Sequence, residues 1–157
     1  MQFYDDCKMH PKTNEIPLVG NAAEAGKLAE FFTAQWLSRK GYTLEAMNWR
    51  YGHKEVDLIV SQNDVLVFVE VKCKTMNHLA LPELSVNAEK RTFLLACAKQ
   101  YMKLFPVFKR PRFDVVSVIL LSHGKQMFHF VDAFYPVKAT KKQSKMSAFF
   151  IRHEECH

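Results

Sequence analysis

Eighteen residues, Glu55 to Lys72, constrain the fold of this chain more than any others. Glu55 to Val60 alternates in polarity. Val65 to Lys72 is rich in β-branched and aromatic residues, as a pleated, half-buried surface requires. Ser61-Gln62-Asn63-Asp64 between them is turn chemistry. The pattern predicts an antiparallel hairpin. A two-residue turn at Asn63-Asp64 sets Asp57 opposite Glu70, Glu55 opposite Lys72 and Ile59 opposite Phe68, with Cβ atoms of such pairs ~4.5–5.5 Å apart. Alternation places Glu55, Asp57 and Ile59 on one face of the first strand, and Leu66, Phe68, Glu70 and Lys72 on one face of the second.

Helices flank this hairpin in the sequence. Asn21 followed by Glu24 is a helix-start pattern. Behind it Ala25, Leu28, Ala29, Phe32 and Trp36 recur at helical spacing. The spacing predicts a helix from about Ala22 to Lys40, stopped by Gly41. Tyr42 to Arg50 reads as a first strand. Asn87 is an N-cap for a second helix with the stripe Leu94, Cys97, Ala98, Tyr101 and Phe105, ended by Pro106. Phe113 to Leu121 is a buried strand and Gln126 to Val131 a further one. The order α-β-β-β-α-β-β predicts one α/β domain with a mixed sheet. Residues 20–136 form that domain, residues 1–19 an irregular lead-in and residues 137–157 a basic tail. With 48% hydrophobic residues and 13 Phe the chain is not disordered. No apolar stretch approaches the ~20 residues of a membrane-spanning helix.

The chemistry lies in the hairpin. Like charges directly opposed in a sheet are destabilising. Asp57 and Glu70 would share a face with Ile59, Leu66 and Phe68, which favour burial. Half-buried carboxylates in that setting are protonated, paired with a cation, or bound to metal. Mg²⁺, a hard ion that takes oxygen ligands and keeps several waters, suits two such acids. Lys72 beside it could stabilise developing negative charge. Metal, carboxylates and lysine together fit phosphodiester hydrolysis. The structural alternative is a solvated strand face with a Glu55–Lys72 ion pair, worth under ~1 kcal/mol.

Glu55-Val56-Asp57-Leu58-Ile59 followed by Val67-Phe68-Val69-Glu70-Val71-Lys72 resembles the core of the PD-(D/E)xK nuclease superfamily. More narrowly, the chain resembles the YraN-like uncharacterised bacterial protein family, which has a restriction-endonuclease-like fold. The resemblance runs from about Gly26 to Val118. It includes Gly41-Tyr42, Asn48-Trp49-Arg50, Val86 with Lys90, and Arg112-Phe113-Asp114-Val115-Val116. It implies that Asp57 and Glu70 bind Mg²⁺ or Mn²⁺ with a backbone carbonyl near Val71, and that Lys72 is catalytic. It also implies that Glu30 holds a water and that Glu55 assists. Three positions depart from the pattern: Val56 replaces a Pro, Lys54 a Gly, and Ala29 the Gly of a first-helix Gly-Glu pair.

The remaining candidates concern partners. With 22 Lys+Arg against 16 Asp+Glu, the net charge is +6. Lys90, near the start of the second helix, opposes the helix dipole unless an anion such as phosphate accompanies it. Lys109, Arg110 and Arg112, and the lysines at 138–145, could track a nucleic-acid backbone. Trp49 could stack on bases, whereas Trp36 falls on the apolar helix stripe. Cys73 points away from Lys72 and reads as packing, and His53, His78, His123 and His129 have no ligand spacing. Cys7-x-x-His10 and His153-x-x-Cys156-His157 have zinc-like spacing but sit at the chain ends. Met1 to Asp6 lacks the basic, apolar pattern of an export signal, so a cytoplasmic, reduced protein is expected. The expectation is a Mg²⁺-dependent DNA endonuclease, with branched or single-stranded DNA as candidate substrates and monomer or homodimer left open. A non-catalytic nucleic-acid-binding or accessory protein retaining the fold is the alternative. Arg39, Lys40, Lys90, the 109–112 cluster and the tail lysines should then ring an acidic centre.

Overall fold

A computed structural model describes residues 20–75, 86–105, 110–121 and 124–134, together with the backbone of 151–152. The terminal Cys/His groups, His78, His123, Lys109 and the 138–145 lysines lie outside the described residues.

Helix α1 spans Ala22–Arg39. The Asn21 side chain accepts from Glu24 N at 3.0 Å, and the Glu24 carboxylate accepts from Gly20 N at 2.9 Å. Reciprocal bonds of this kind satisfy amides that a helix start leaves unpaired. The helix ends at Gly41, whose φ of +84° is left-handed. The strands are β1 Thr43–Tyr51, β2 Lys54–Gln62, β3 Val65–Thr75, β4 Arg110–Leu121, β5 Gly124–Phe130 and the two-residue β6 Ile151–Arg152. Helix α2 spans Ala88–Leu104, with the Asn87 side chain accepting from Lys90 N at 2.7 Å.

The sheet runs β1-β2-β3-β4-β5-β6. Only β3–β4 is parallel, and α2 makes the crossover that a parallel pair requires. The fold is therefore the expected α/β domain, a mixed central sheet flanked by helices. One face carries α1, with Ala25, Ala29, Phe32 and Leu37 packed against Leu58, Val60, Val67, Val69 and Val116. The other carries α2, with Leu94, Cys97, Ala98 and Tyr101 against Ile59, Leu66, Phe68, Phe113 and Val115. Two details differ from expectation. Ser61 and Gln62 belong to β2, leaving Asn63-Asp64 as the turn, with Asn63 at φ +52°. Phe105, expected on the apolar stripe, is instead the half-exposed C-cap of α2, its ring 4.8 Å from that of Tyr101.

The β2–β3 register is the one the turn predicts: Gln62 faces Val65 and Ile59 faces Phe68. The ladder stops at Leu58↔Val69. Both strands nevertheless continue. β2 stays with β1 down to Tyr51↔Lys54, and β3 stays with β4 up to Thr75↔Leu120. The sheet thus forks into two ribbons just beyond Leu58 and Val69.

The alternation of side chains is also interrupted at the fork. Val56 and Ile59, three residues apart, both join the α2-side core. Their β1 partners Trp49 and Ala46 pack against that same core. Between them lies Asn48, whose φ of +49° resets the face that β1 presents. The expected grouping of Glu55, Asp57 and Ile59 on one face is corrected accordingly: strict alternation fails at Asp57, the first residue beyond the ladder.

Candidate functional site

The fork is where the charged residues meet. The Asp57 carboxylate accepts from Val71 N at 2.7 Å, so a side chain bridges the gap the β2–β3 ladder leaves. Glu70, 5% exposed, lies between two ammonium groups. Lys72 Nζ is 3.2 Å from Oε1 and Lys90 Nζ is 2.9 Å from Oε2. Lys90 Nζ also donates to Glu55 O at 3.4 Å, so this one side chain touches both ribbons. The anion that offsets Lys90 at the start of α2 is thus Glu70, from within the fold.

Glu55 does not pair with Lys72. It bonds Arg50, its ladder partner on β1, because β2 and β3 have already parted at that point. Glu30 reaches the site from α1. The Asn48 side chain favours its charged form, and the carboxyl feels the charges of Glu55 and Glu70.

The electrostatics follow from burial and crowding. Desolvation and then Glu70 push Asp57 up to about 7, against the opposing Val71 N–H bond and the Lys90 charge. Burial raises Glu30 as well, with Asn48 pulling the other way. Lys90 is disfavoured as a cation by its own burial. The contact with Glu70 and the surrounding acids outweigh that and raise its pKa.

Among the described residues no three His, Cys, Asp or Glu side chains gather as a ready cage. Mg²⁺ needs only one or two carboxylates from the protein, with water and phosphate completing its shell. Among the described residues Glu70 Oε2 is buried and meets no donor at hydrogen-bonding angles, the Lys90 contact being an ion pair alone. Asp57 carries a single hydrogen bond among the described residues. A crowded pair of acids with unused lone pairs suits such an ion.

The other candidates are distributed differently. Arg112 is held inside the fold: its Nε and Nη2 donate to Asp114 at 2.8 and 2.7 Å, and Nη2 also reaches Tyr42 Oη at 3.0 Å. Arg110 pairs with Asp64 at the hairpin turn, where β3 begins and away from the fork. Lys40 sits over the Trp36 ring at the end of α1, on that same side, and Trp36 packs against the core as its stripe predicts. Of the described residues expected to ring the centre, then, only Lys90 stands at the fork. The basic residues that do stand there are Lys27, Arg50, Lys54 and Lys72. The cause is that charge position depends on strand ends, which composition does not encode. Cys73 packs against the α1-side core, and burial raises its thiol.

Asn48 stands in the sequence only as part of the resembling Asn48-Trp49-Arg50 stretch, and spacing does not reveal its backbone angle; His129 carries no signal there at all. His129 Nε2 lies 2.7 Å from Asp114 Oδ2, and the contact joins residues 15 positions apart.

The profile of the Uncharacterised protein family UPF0102 matches residues 29–118. A UPF0102 protein of Porphyromonas gingivalis is 36% identical over 113 residues, 71% of this chain and 84% of that one. One from Bacteroides fragilis is 35% identical over 111 residues, covering 71% and 92%. One from Dictyoglomus turgidum is 37% identical over 106 residues, covering 67% and 90%. The matched span begins within the helix that carries Glu30 and contains the residues of the fork except Lys27.

Proposed function

Starting from the premise that the chain belongs to the Uncharacterised protein family UPF0102, we propose that it is a divalent-metal-dependent nuclease that hydrolyses DNA phosphodiester bonds. The observation that carries this reading is the convergence at the fork: Asp57 bonded to Val71 N, with Glu70 set between Lys72 and Lys90. The order Asp57, Glu70, Lys72 on two adjoining strands is also the PD-(D/E)xK arrangement that the sequence resembles.

Asp57 and Glu70, with the Val71 carbonyl, would hold Mg²⁺ or Mn²⁺. The ion, when bound, supplies Lewis-acid polarisation of a phosphoryl oxygen and a water of lowered pKa. The protein's own groups supply the rest. Lys72 is 29% exposed, so its ammonium can serve Glu70 and a phosphate entering from solvent. Glu30, with its affinity for protons raised by burial and its carboxyl steadied by Asn48, would orient the attacking water. Lys90 spans Glu55 O and Glu70 and keeps the two ribbons at a fixed opening.

A second reading has one observation in its favour. Glu70 is already paired with two ammonium groups, which suits a fold that binds nucleic acid without cutting it. Calorimetric titration with Mg²⁺ and Mn²⁺, beside cleavage of linear, nicked, branched and single-stranded DNA, separates the two. The nuclease is expected to bind the ion and cut at least one substrate, and Asp57→Asn to lose both. Absence of ion binding and of cleavage on every substrate leaves the second reading.

A further inference from the structure

The two ribbons of the fork differ in chemistry. The β3 side presents Lys72 beside the carboxylates. The β1–β2 ribbon ends in aromatic and cationic side chains that the proposed hydrolysis does not use. Trp49 and Tyr51 lie nearly parallel, 16° apart with centroids 6.5 Å apart. Trp49 is fixed from behind by an edge-on contact with Tyr101 at 5.3 Å, so its ring orientation is set by α2. Tyr51 is 44% exposed. Lys54, its ladder partner, holds its ammonium 4.9 Å from the centre of the Phe93 ring. Arg50 bonds Glu55 yet keeps 74% of its side chain in solvent.

An exposed tyrosine on an edge strand is unremarkable alone. Here it continues a row of rings anchored in the core, flanked by two cations, on the ribbon that also carries Asp57. From Asp57 back to Lys54 is three residues, or about 10 Å of strand at ~3.3 Å each. That equals about three nucleotide rises of a stacked strand at ~3.4 Å.

We propose that the Trp49–Tyr51 tip of the β1–β2 ribbon is a stacking platform for unpaired bases. The strand led to the fork is then single-stranded or locally opened. The inference rests on nucleic acid being the partner of the fork. Bases in an intact duplex are covered by their neighbours and offer no face to Tyr51, whereas an unpaired base offers a π-face of any identity. Arg50 and Lys54 match the phosphates of such a strand.

The test uses the full chain in EDTA at low salt, so that binding is read without hydrolysis. Fluorescence anisotropy compares a labelled oligothymidylate with an abasic oligonucleotide of the same length, which has the same phosphates and no bases. A uridylate pair distinguishes an RNA strand from a DNA one. The base-bearing strand is expected to bind about tenfold or more tighter than its abasic counterpart. Tyr51→Ala should abolish that ratio while leaving abasic binding unchanged, and Tyr51→Phe should restore it. Equal binding of base-bearing and abasic strands overturns the platform, as does an unchanged ratio in Tyr51→Ala. Asp57→Asn is expected to keep the ratio. A ratio that persists in a protein with no ion binding and no cleavage supports the platform and removes the nuclease. Cleavage without any ratio does the reverse.

Discussion

Asp57 and Asp114 are acids of one sheet with opposite electrostatic fates. Asp114 is 1% exposed and receives Arg112 on both oxygens, His129 on Oδ2 and the Asp132 amide on Oδ1. Burial works against its charge. The His129 and Arg112 bonds exceed that, and its pKa falls below the usual carboxylate range. Among the described residues Asp57 accepts from Val71 N alone, with Glu70 close by, and it rises to about 7. The difference teaches how to tell a structural acid from a candidate working one. A carboxylate whose lone pairs are all engaged is already committed, whereas a crowded, under-bonded one has capacity for a cation or a proton.

The largest test of that contrast is Asp114→Ala. It strands Arg112 and His129 in the interior, and about 3–5 kcal/mol of stability should be lost in urea unfolding. A loss under about 1 kcal/mol would break the comparison from the structural side. Asp57→Asn should act in the opposite sense. Removing one charge of a crowded pair is expected to stabilise the protein at pH 8 by about 1–3 kcal/mol while abolishing divalent-ion binding. Destabilisation of the size seen at Asp114 would show that Asp57 is a structural acid too.

The pH profile sharpens the same point. Asp57 binds its proton more tightly in the folded state than in the unfolded chain, where a carboxylate titrates near 4. Its contribution is therefore intact below about pH 4 and is lost as pH rises toward 7. Asp114 has the reverse sign, its contribution present at neutral pH and lost on acidification below the ordinary carboxylate range. Melting temperature measured from pH 4 to 8 should show a decline that flattens in Asp57→Asn. An identical slope in the variant would assign the decline to other groups. The smallest effect is expected at Lys72→Met. With 29% of its side chain exposed, its loss should change stability by under ~1 kcal/mol while removing cleavage. A large stability change would make Lys72 part of the frame.

Much of this arrangement was legible in the chain. Asn21, Gly41, Asn87 and the Asn63-Asp64 turn mark element ends through local chemistry, and the ends fall where that chemistry puts them. The pairing of Ile59 with Phe68 followed from the turn alone. The site was legible less completely. Asp57 comes near Glu70, and Glu70 near Lys72, but across the fork rather than as the opposed pair Asp57 and Glu70 that the turn predicts, because the ladder ends at Leu58↔Val69. Lys90, by contrast, shows in the sequence only as a cation at a helix start, and its neighbours Glu70 and Glu55 depend on where α2 crosses the sheet. Arg112, a candidate for tracking a nucleic-acid backbone, has its guanidinium engaged by Asp114 two residues along the same strand.

The sequence by itself determined the hairpin, its register and the acids it carries, since side-chain period and turn chemistry are local properties of the chain. Tertiary structure alone decided that the ladder ends at Leu58↔Val69, that Asn48 resets the strand face, and that Lys90 spans the gap. A fork is a competition between neighbours: β2 follows β1 and β3 follows β4, and no single strand's residues record which partner prevails.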